Sequence, residues 1–171
     1  MEKQVKKNYY VNTIAIPIKL VYLYNFVKTK MLRLTKIFHF EMAHAIHGYA
    51  GACKNIHGHS YELHVTVSSV HNYKGYIHVP GFLIDFKEIK ELVNATVVEK
   101  FDHKVILSRD FLFENPTFSS QENLVTWEAE PTAENLLLYM SRVLCEKIPD
   151  ELNLDQLKLY ETKDSYAEWI R

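Results

Sequence analysis

His57-Gly58-His59-Ser60-Tyr61-Glu62-Leu63-His64-Val65-Thr66-Val67 is the stretch from which the fold is read. Tyr61, Leu63, Val65 and Val67 alternate with Glu62, His64 and Thr66, the pattern of a strand with one buried face and one open face. His57 and His59 share the parity of the apolar set, so two imidazoles extend the core face. That places two neutral nitrogen donors on one surface, half of a tetrahedral zinc site. Upstream, Leu34, Phe38, Phe40 and Met42 also share one parity, and His44 continues it. If the two segments are antiparallel neighbours, three histidines converge at one end of an apolar face. Three protein ligands leave a fourth position open, the arrangement of a catalytic zinc rather than a structural one.

The chain has nine histidines, so a single His-x-His pair is weak by itself. Its weight comes from the in-phase His44 and from Cys53 close by; His39, His64, His71 and His78 lack such company and read as surface or strand residues. Cys53 sits in a loop with Gly48, Gly51 and Gly58. A thiol near a cation and histidines has a lowered pKa and can serve as base or nucleophile. The alternative is that Cys53 is itself a fourth zinc ligand and the site is structural. Asp102-His103 offers a carboxylate that can orient an imidazole and raise its basicity, a second acid/base group. Glu161 shares a strand face with Leu157 and Leu159, and a carboxylate on a core face needs partners. A planar heterocycle edge with two N–H donors would satisfy both oxygens; a strand end reaching solvent is the plainer reading.

A chain of 171 residues is one domain by length, and its net charge of −1 gives no argument for nucleic acid as a partner. Residues 1–30 differ in kind: they carry six lysines against Glu2, leaving about −6 for residues 31–171. The apolar stretch Ile14 to Val27 is interrupted by Pro17, Lys19 and Asn25, too short and broken to span a bilayer. It also lacks the cleavage site of a signal peptide. The regular pattern begins after Met31, so residues 1–30 read as an N-terminal extension outside the fold, with Met31 as the natural start. A membrane-surface anchor and an extra docked segment are the alternatives. Two cysteines, Cys53 and Cys145, could bridge, but the histidine cluster and the lack of a signal favour reduced thiols in the cytoplasm. Cys145 reads as a small buried helix residue.

The spacing predicts strands over Leu32–Met42, Ser60–Ser69, Leu154–Thr162 and Ser165–Arg171. Asp85 with Glu88 predicts a capping box, followed by a helix to about Lys100 with Phe86, Ile89, Leu92, Val93 and Val97 inward. Thr132 predicts the N-cap of a second helix, to about Lys147. The polar segment Ser108–Glu130 is expected to be loop with one short strand. The expected class is α+β: a four-stranded antiparallel sheet with two helices on one face, in the order β-β-α-α-β-β. So small a sheet has two open edges, and closing them between subunits makes an oligomer expected.

Together these pieces resemble the 6-pyruvoyl-tetrahydropterin synthase / 6-carboxytetrahydropterin synthase family. The matching motifs are Phe40-Glu41-Met42-Ala43-His44, Cys53-Lys54-Asn55-Ile56-His57-Gly58-His59, Leu83-Ile84-Asp85-Phe86, Phe101-Asp102-His103, Pro131-Thr132-Ala133-Glu134-Asn135, and Glu161-Thr162 with Ala167-Glu168-Trp169. They run in the family's order from Leu32 to Arg171, and residues 1–30 have no counterpart. The resemblance implies the tunnelling fold, trimers that close a β-barrel and stack into homohexamers, and active sites between subunits. It implies Zn2+ on His44, His57 and His59, Cys53 as general base, Asp102 and His103 as an assisting relay, Glu161 as anchor of the pterin ring, and Thr132 beside it. The substrate implied is 7,8-dihydroneopterin triphosphate. The Cys-x-x-x-His-Gly-His spacing resembles the bacterial carboxy branch, which feeds 7-deazaguanine and queuosine. The pyruvoyl branch has a longer gap, and a branch with glutamate in place of the cysteine is disfavoured by Cys53.

Two other readings compete: a non-catalytic zinc or pterin-binding protein on the same fold, and a zinc hydrolase. The hydrolase needs a carboxylate base beside the metal, and Glu41 has the wrong strand parity for it. Because no motif falls in residues 1–30, a chain beginning at Met31 is expected to keep its assembly state and activity, checked by gel filtration and turnover.

Overall fold

The structure is a computed structural model that describes residues 32–73 and 75–171; the readings of residues 1–30 and of Met31 lie outside them. Strand β1 (Arg33–His44) pairs antiparallel with β2 (His57–Ser69), with Phe40 opposite Tyr61 and His44 opposite His57. The pairing agrees with the alternation: Phe38, Phe40, Met42, Tyr61, Leu63, Val65 and Val67 are all buried on one face. Both strands run further toward the histidines than the apolar pattern alone marks. The ladder pairs Ala43 with Gly58, where an added Cβ would come within 3.1 Å of the Met42 carbonyl oxygen, so glycine permits the close approach.

After α1 (Phe86–Val93), a π-helical turn (Asn94–Val98) and a last helical turn (Glu99–Phe101), the chain enters β3 (Lys104–Ser108). A short helix α2 (Arg109–Glu114) and a 3-10 turn (Pro116–Ser120) precede β4 (Leu124–Trp127). Helix α3 (Ala133–Cys145) follows, and β5 (Leu152–Thr162) and β6 (Ser165–Ile170) close the chain as a hairpin. The sheet has six strands in the order β4-β3-β1-β2-β5-β6, with β3 parallel to β1 and β4 parallel to β3. The expected four-stranded antiparallel sheet is therefore corrected to a six-stranded mixed one. The reason lies in β3: Ile106, Leu107 and Ser108 are buried in succession, so both faces are covered and no alternation marks it. Strand β4 is the short strand expected between Ser108 and Glu130, but helical turns fill much of the rest.

Helix α1 supplies one side of the core through Ile89 and Val93, the π-helical turn adds Val97, and α3 adds Leu136, Leu137, Met140 and Leu144. Asp85 caps α1 by accepting from the Lys87 amide at 2.8 Å, and Thr132 caps α3 by accepting from Asn135. Two burial expectations are corrected. Phe86 is half exposed at the first helical position, ahead of the stripe formed by Ile89 and Val93. Cys145 is exposed and free, because one residue past Leu144 turns 100° off the core stripe. Among the described residues, no helix is long and apolar enough to cross a membrane.

Phe101 ties the layers together. It is fully buried and its ring centroid lies 6.2 Å from Phe40, 5.9 Å from Trp127 and 5.7 Å from Tyr139. Phe101→Ala is expected to destabilise the chain by about 3–5 kcal/mol, measured by urea unfolding.

Candidate active site

Opposed registry of β1 and β2 brings His44, His57 and His59 to one end of the core face. Their ring centroids are 4.5, 5.2 and 5.0 Å apart, and each offers a ligand nitrogen within 4.8 Å of the others. Backbone carbonyls set two of the tautomers. His44 Nδ1–H donates to the Pro131 carbonyl at 2.6 Å, and His57 Nδ1–H donates to that of Asn55 at 2.9 Å, so each Nε2 keeps its lone pair. His44 Nε2 is buried and has no hydrogen-bond partner among the described residues. Such an orphaned acceptor asks for a ligand. Burial is the main cause that lowers the His44 pKa, and the neighbouring His57 and His59 push the same way; the Pro131 carbonyl and Glu161 oppose them. The neutral, metal-binding form is thereby favoured. Three imidazoles with an open side fit Zn2+.

A cavity of about 390 Å³ opens over the triad, and Cys53, Thr132 and Glu161 also line it. Cys53 is exposed and free on a 3-10 turn (Ala52–Lys54), held near the ladder end because the Ile46 amide donates to the Cys53 carbonyl at 2.9 Å. Gly48, with φ of +73°, makes the left-handed bend that begins this loop. Glu161 occupies a β-bulge: Tyr160 pairs with Tyr166 and Thr162 with Ser165, so Glu161 is the extra residue. Its half-buried carboxylate accepts from the Tyr61 hydroxyl at 3.2 Å, and Oε1 lies 4.0 Å from His44 Nε2. Burial, joined by the Glu161 charge, pushes the Tyr61 phenol far above its ordinary range, so it stays a donor.

Asp102 and His103 stand elsewhere in the chain. Their side chains pair at 2.9 Å, and His103 adopts a left-handed φ of 58°. The Glu41 amide donates to Asp102 Oδ1 at 2.9 Å while the His103 amide donates to the Glu41 carbonyl at 2.7 Å. That amide bond chiefly, with the pairing to His103, holds the Asp102 carboxyl below its usual range. His103 lines a second cavity of about 440 Å³, which shares His59 with the first. The structure thus brings six of the sequence candidates, His44, His57, His59, Cys53, Thr132 and Glu161, into one cavity and places His103 on the adjoining one. Sequence reasoning did not single out Tyr61 or Pro131. Tyr61 carried a signal, since it follows His59 on the same strand face; the Pro131 carbonyl carried none, because the bond depends on tertiary placement.

Residues 33–170 match the model of the family described as 6-pyruvoyl tetrahydropterin synthase. A 6-carboxy-5,6,7,8-tetrahydropterin synthase of Haemophilus influenzae is 29% identical over 147 residues, covering 81% of this chain and 99% of that protein. One of Rickettsia typhi is 30% identical over 145 residues with the same coverage. The crystal structure of 6-pyruvoyl tetrahydropterin synthase from Plasmodium vivax superposes with a TM-score of 0.60, covering 83% of this chain and 98% of that one. At 20% identity this last likeness is one of fold.

His57→Ala and His59→Ala are each expected to lower zinc content from about one ion per chain to a small fraction, read by atomic absorption, because two imidazoles hold zinc poorly. Cys53→Ala is expected to keep its zinc. Loss of metal from that variant would make Cys53 a fourth ligand and the centre structural.

Proposed function

This chain belongs to the 6-pyruvoyl tetrahydropterin synthase family, and we propose that it converts 7,8-dihydroneopterin triphosphate and water to 6-carboxy-5,6,7,8-tetrahydropterin, acetaldehyde and triphosphate, on the route to 7-deazaguanine and queuosine. The relatives named 6-carboxy-5,6,7,8-tetrahydropterin synthase support this branch. The observation that carries it is the placement of Cys53, on a three-residue spacer from His57, in the cavity that also holds the triad and Glu161. A free thiol, an anchor carboxylate and a metal-type donor set around one cavity are the parts of a lyase that works on a side chain held beside a ring.

His44, His57 and His59 would hold Zn2+, which when bound supplies charge stabilisation to the substrate's side-chain oxygens. Glu161 receives two N–H donors of the pterin edge, a charge-assisted pair that sets the ring's orientation. Thr132, fixed as the cap of α3, lies beside the ring. Cys53 takes a proton from the side chain, and the Asp102–His103 pair moves protons with it. Because that pair borders the adjoining cavity within one chain, the complete site forms between subunits, where the neighbouring copy's pair meets the Cys53 side. Strands β4 and β6, the edges of the sheet among the described residues, are those through which trimers close a barrel, and two trimers stack into the homohexamer. Two unbridged thiols agree with a cytoplasmic setting.

The products divide three side-chain carbons: one stays as the carboxylate and two leave as acetaldehyde. Incubating the zinc-loaded protein with 7,8-dihydroneopterin triphosphate, trapping acetaldehyde as a hydrazone and weighing the pterin is expected to show cleavage. A pterin that keeps all three carbons, with no acetaldehyde, assigns the chain to the pyruvoyl reaction. Binding with no product makes it a pterin-binding protein.

A further inference from the structure

The Tyr61 phenol has no part in the scheme above, yet it is wholly buried at the metal end of the core. Its ring lies flat against Phe40, with centroids 5.2 Å apart and planes 9° apart. It meets His59 edge-on at 5.5 Å and His44 at 6.3 Å. The hydroxyl donates to Glu161 Oε1 at 3.2 Å, and among the described residues it is the hydrogen-bond donor that Glu161 has. The same Oε1 lies 4.0 Å from His44 Nε2, the nitrogen left free for a ligand. A carboxylate that near a ligand nitrogen is within a side-chain rotation of the metal, and carboxylate oxygen is itself a competent zinc ligand. Three histidines plus a glutamate would fill all four positions and close the centre to substrate. Some group has to hold the carboxylate back.

We propose that Tyr61 is a positioning residue whose hydroxyl keeps the Glu161 carboxylate out of metal coordination and holds it for the pterin. The second half rests on the reading of Glu161 as the pterin anchor; the first rests on the triad alone. Two properties suit Tyr61 to the task. Phe40, His44 and His59 enclose its ring from several sides, so it keeps its direction when one of them is trimmed, and burial keeps water from competing for the hydroxyl. A serine or threonine in the same position would lack both the reach and the rigid ring.

The test uses the full chain loaded with Co2+, whose visible bands report the number and kind of ligands. Tyr61→Phe keeps the stack and the volume and removes only the O–H. It is expected to change the Co2+ spectrum with no pterin present and to tighten Co2+ binding severalfold. Its metal-free form should bind 7,8-dihydroneopterin about five- to tenfold more weakly, the effect of one lost hydrogen bond. Adding Glu161→Gln to that variant should return the spectrum to the wild-type form, because the amide is a poor ligand. Phe40→Leu loosens the same stack but leaves the hydroxyl, and should leave the spectrum unchanged. An unaltered spectrum in Tyr61→Phe overturns the proposal, as does an equal change in Phe40→Leu, which would make the role one of packing. If Glu161→Gln alone leaves dihydroneopterin affinity intact while Tyr61→Phe still shifts the Co2+ bands, the pterin anchor falls and the metal-guarding role of Tyr61 stands.

Discussion

The antiparallel register of β1 on β2 is the constraint on which the rest depends. It sets His44 opposite His57 and Met42 opposite His59, and it does so with the same pairings that seat Phe40 on Tyr61 and bury the core. Side chains alternate with period two, so a slip of one residue would carry the whole apolar set and the imidazoles to the other face. The histidine triad is therefore secured by the hydrophobic effect acting along the entire ladder, not by contacts among the histidines. Residues as distant as Val65 and Val67 help to hold the triad in place, because they penalise any slip.

Electrostatic preparation is layered on that frame. Pro131 and Asn55 lend carbonyls that choose the tautomers of His44 and His57, and burial keeps His44 neutral. Tyr61 and Glu161 complete the arrangement from β2 and β5, and the bulge at Glu161 places the carboxylate where a regular strand would have continued its pairing with β6. Each partner belongs to a different element, so the centre exists only in the folded chain. Asp102 is held in the same way, by a backbone amide of β1 and by the left-handed turn at His103.

The parts of this architecture that follow a period were legible in the sequence. Alternation marked β1, β2 and β5, three-to-four spacing marked α1 and α3, and common parity gathered His44, His57 and His59 and set Glu161 on a core face with Leu157 and Leu159. What lacked a period was missed or misjudged. Strand β3 is buried on both faces and reads as a bare apolar run. Its parallel pairing with β1 arises through a connection that carries no local mark. Cys145 looked inward because small residues often are, whereas its angle from Leu144 sends it outward. The adjacency of Asp102 and His103 was plain, but the cavity it borders is set by the path of the chain after the π-helical turn.

The loop from Ile46 to Cys53 has a further consequence. It is fastened at its base by the Ile46 amide, and the His47 amide donates to Glu130 at 2.6 Å. A change of length in this exposed segment moves the thiol relative to the strands that carry the imidazoles and Glu161. Such a division of labour makes the fold evolvable: a lineage can try out new chemistry by lengthening or shortening one exposed segment, without first losing the fold or the histidine triad.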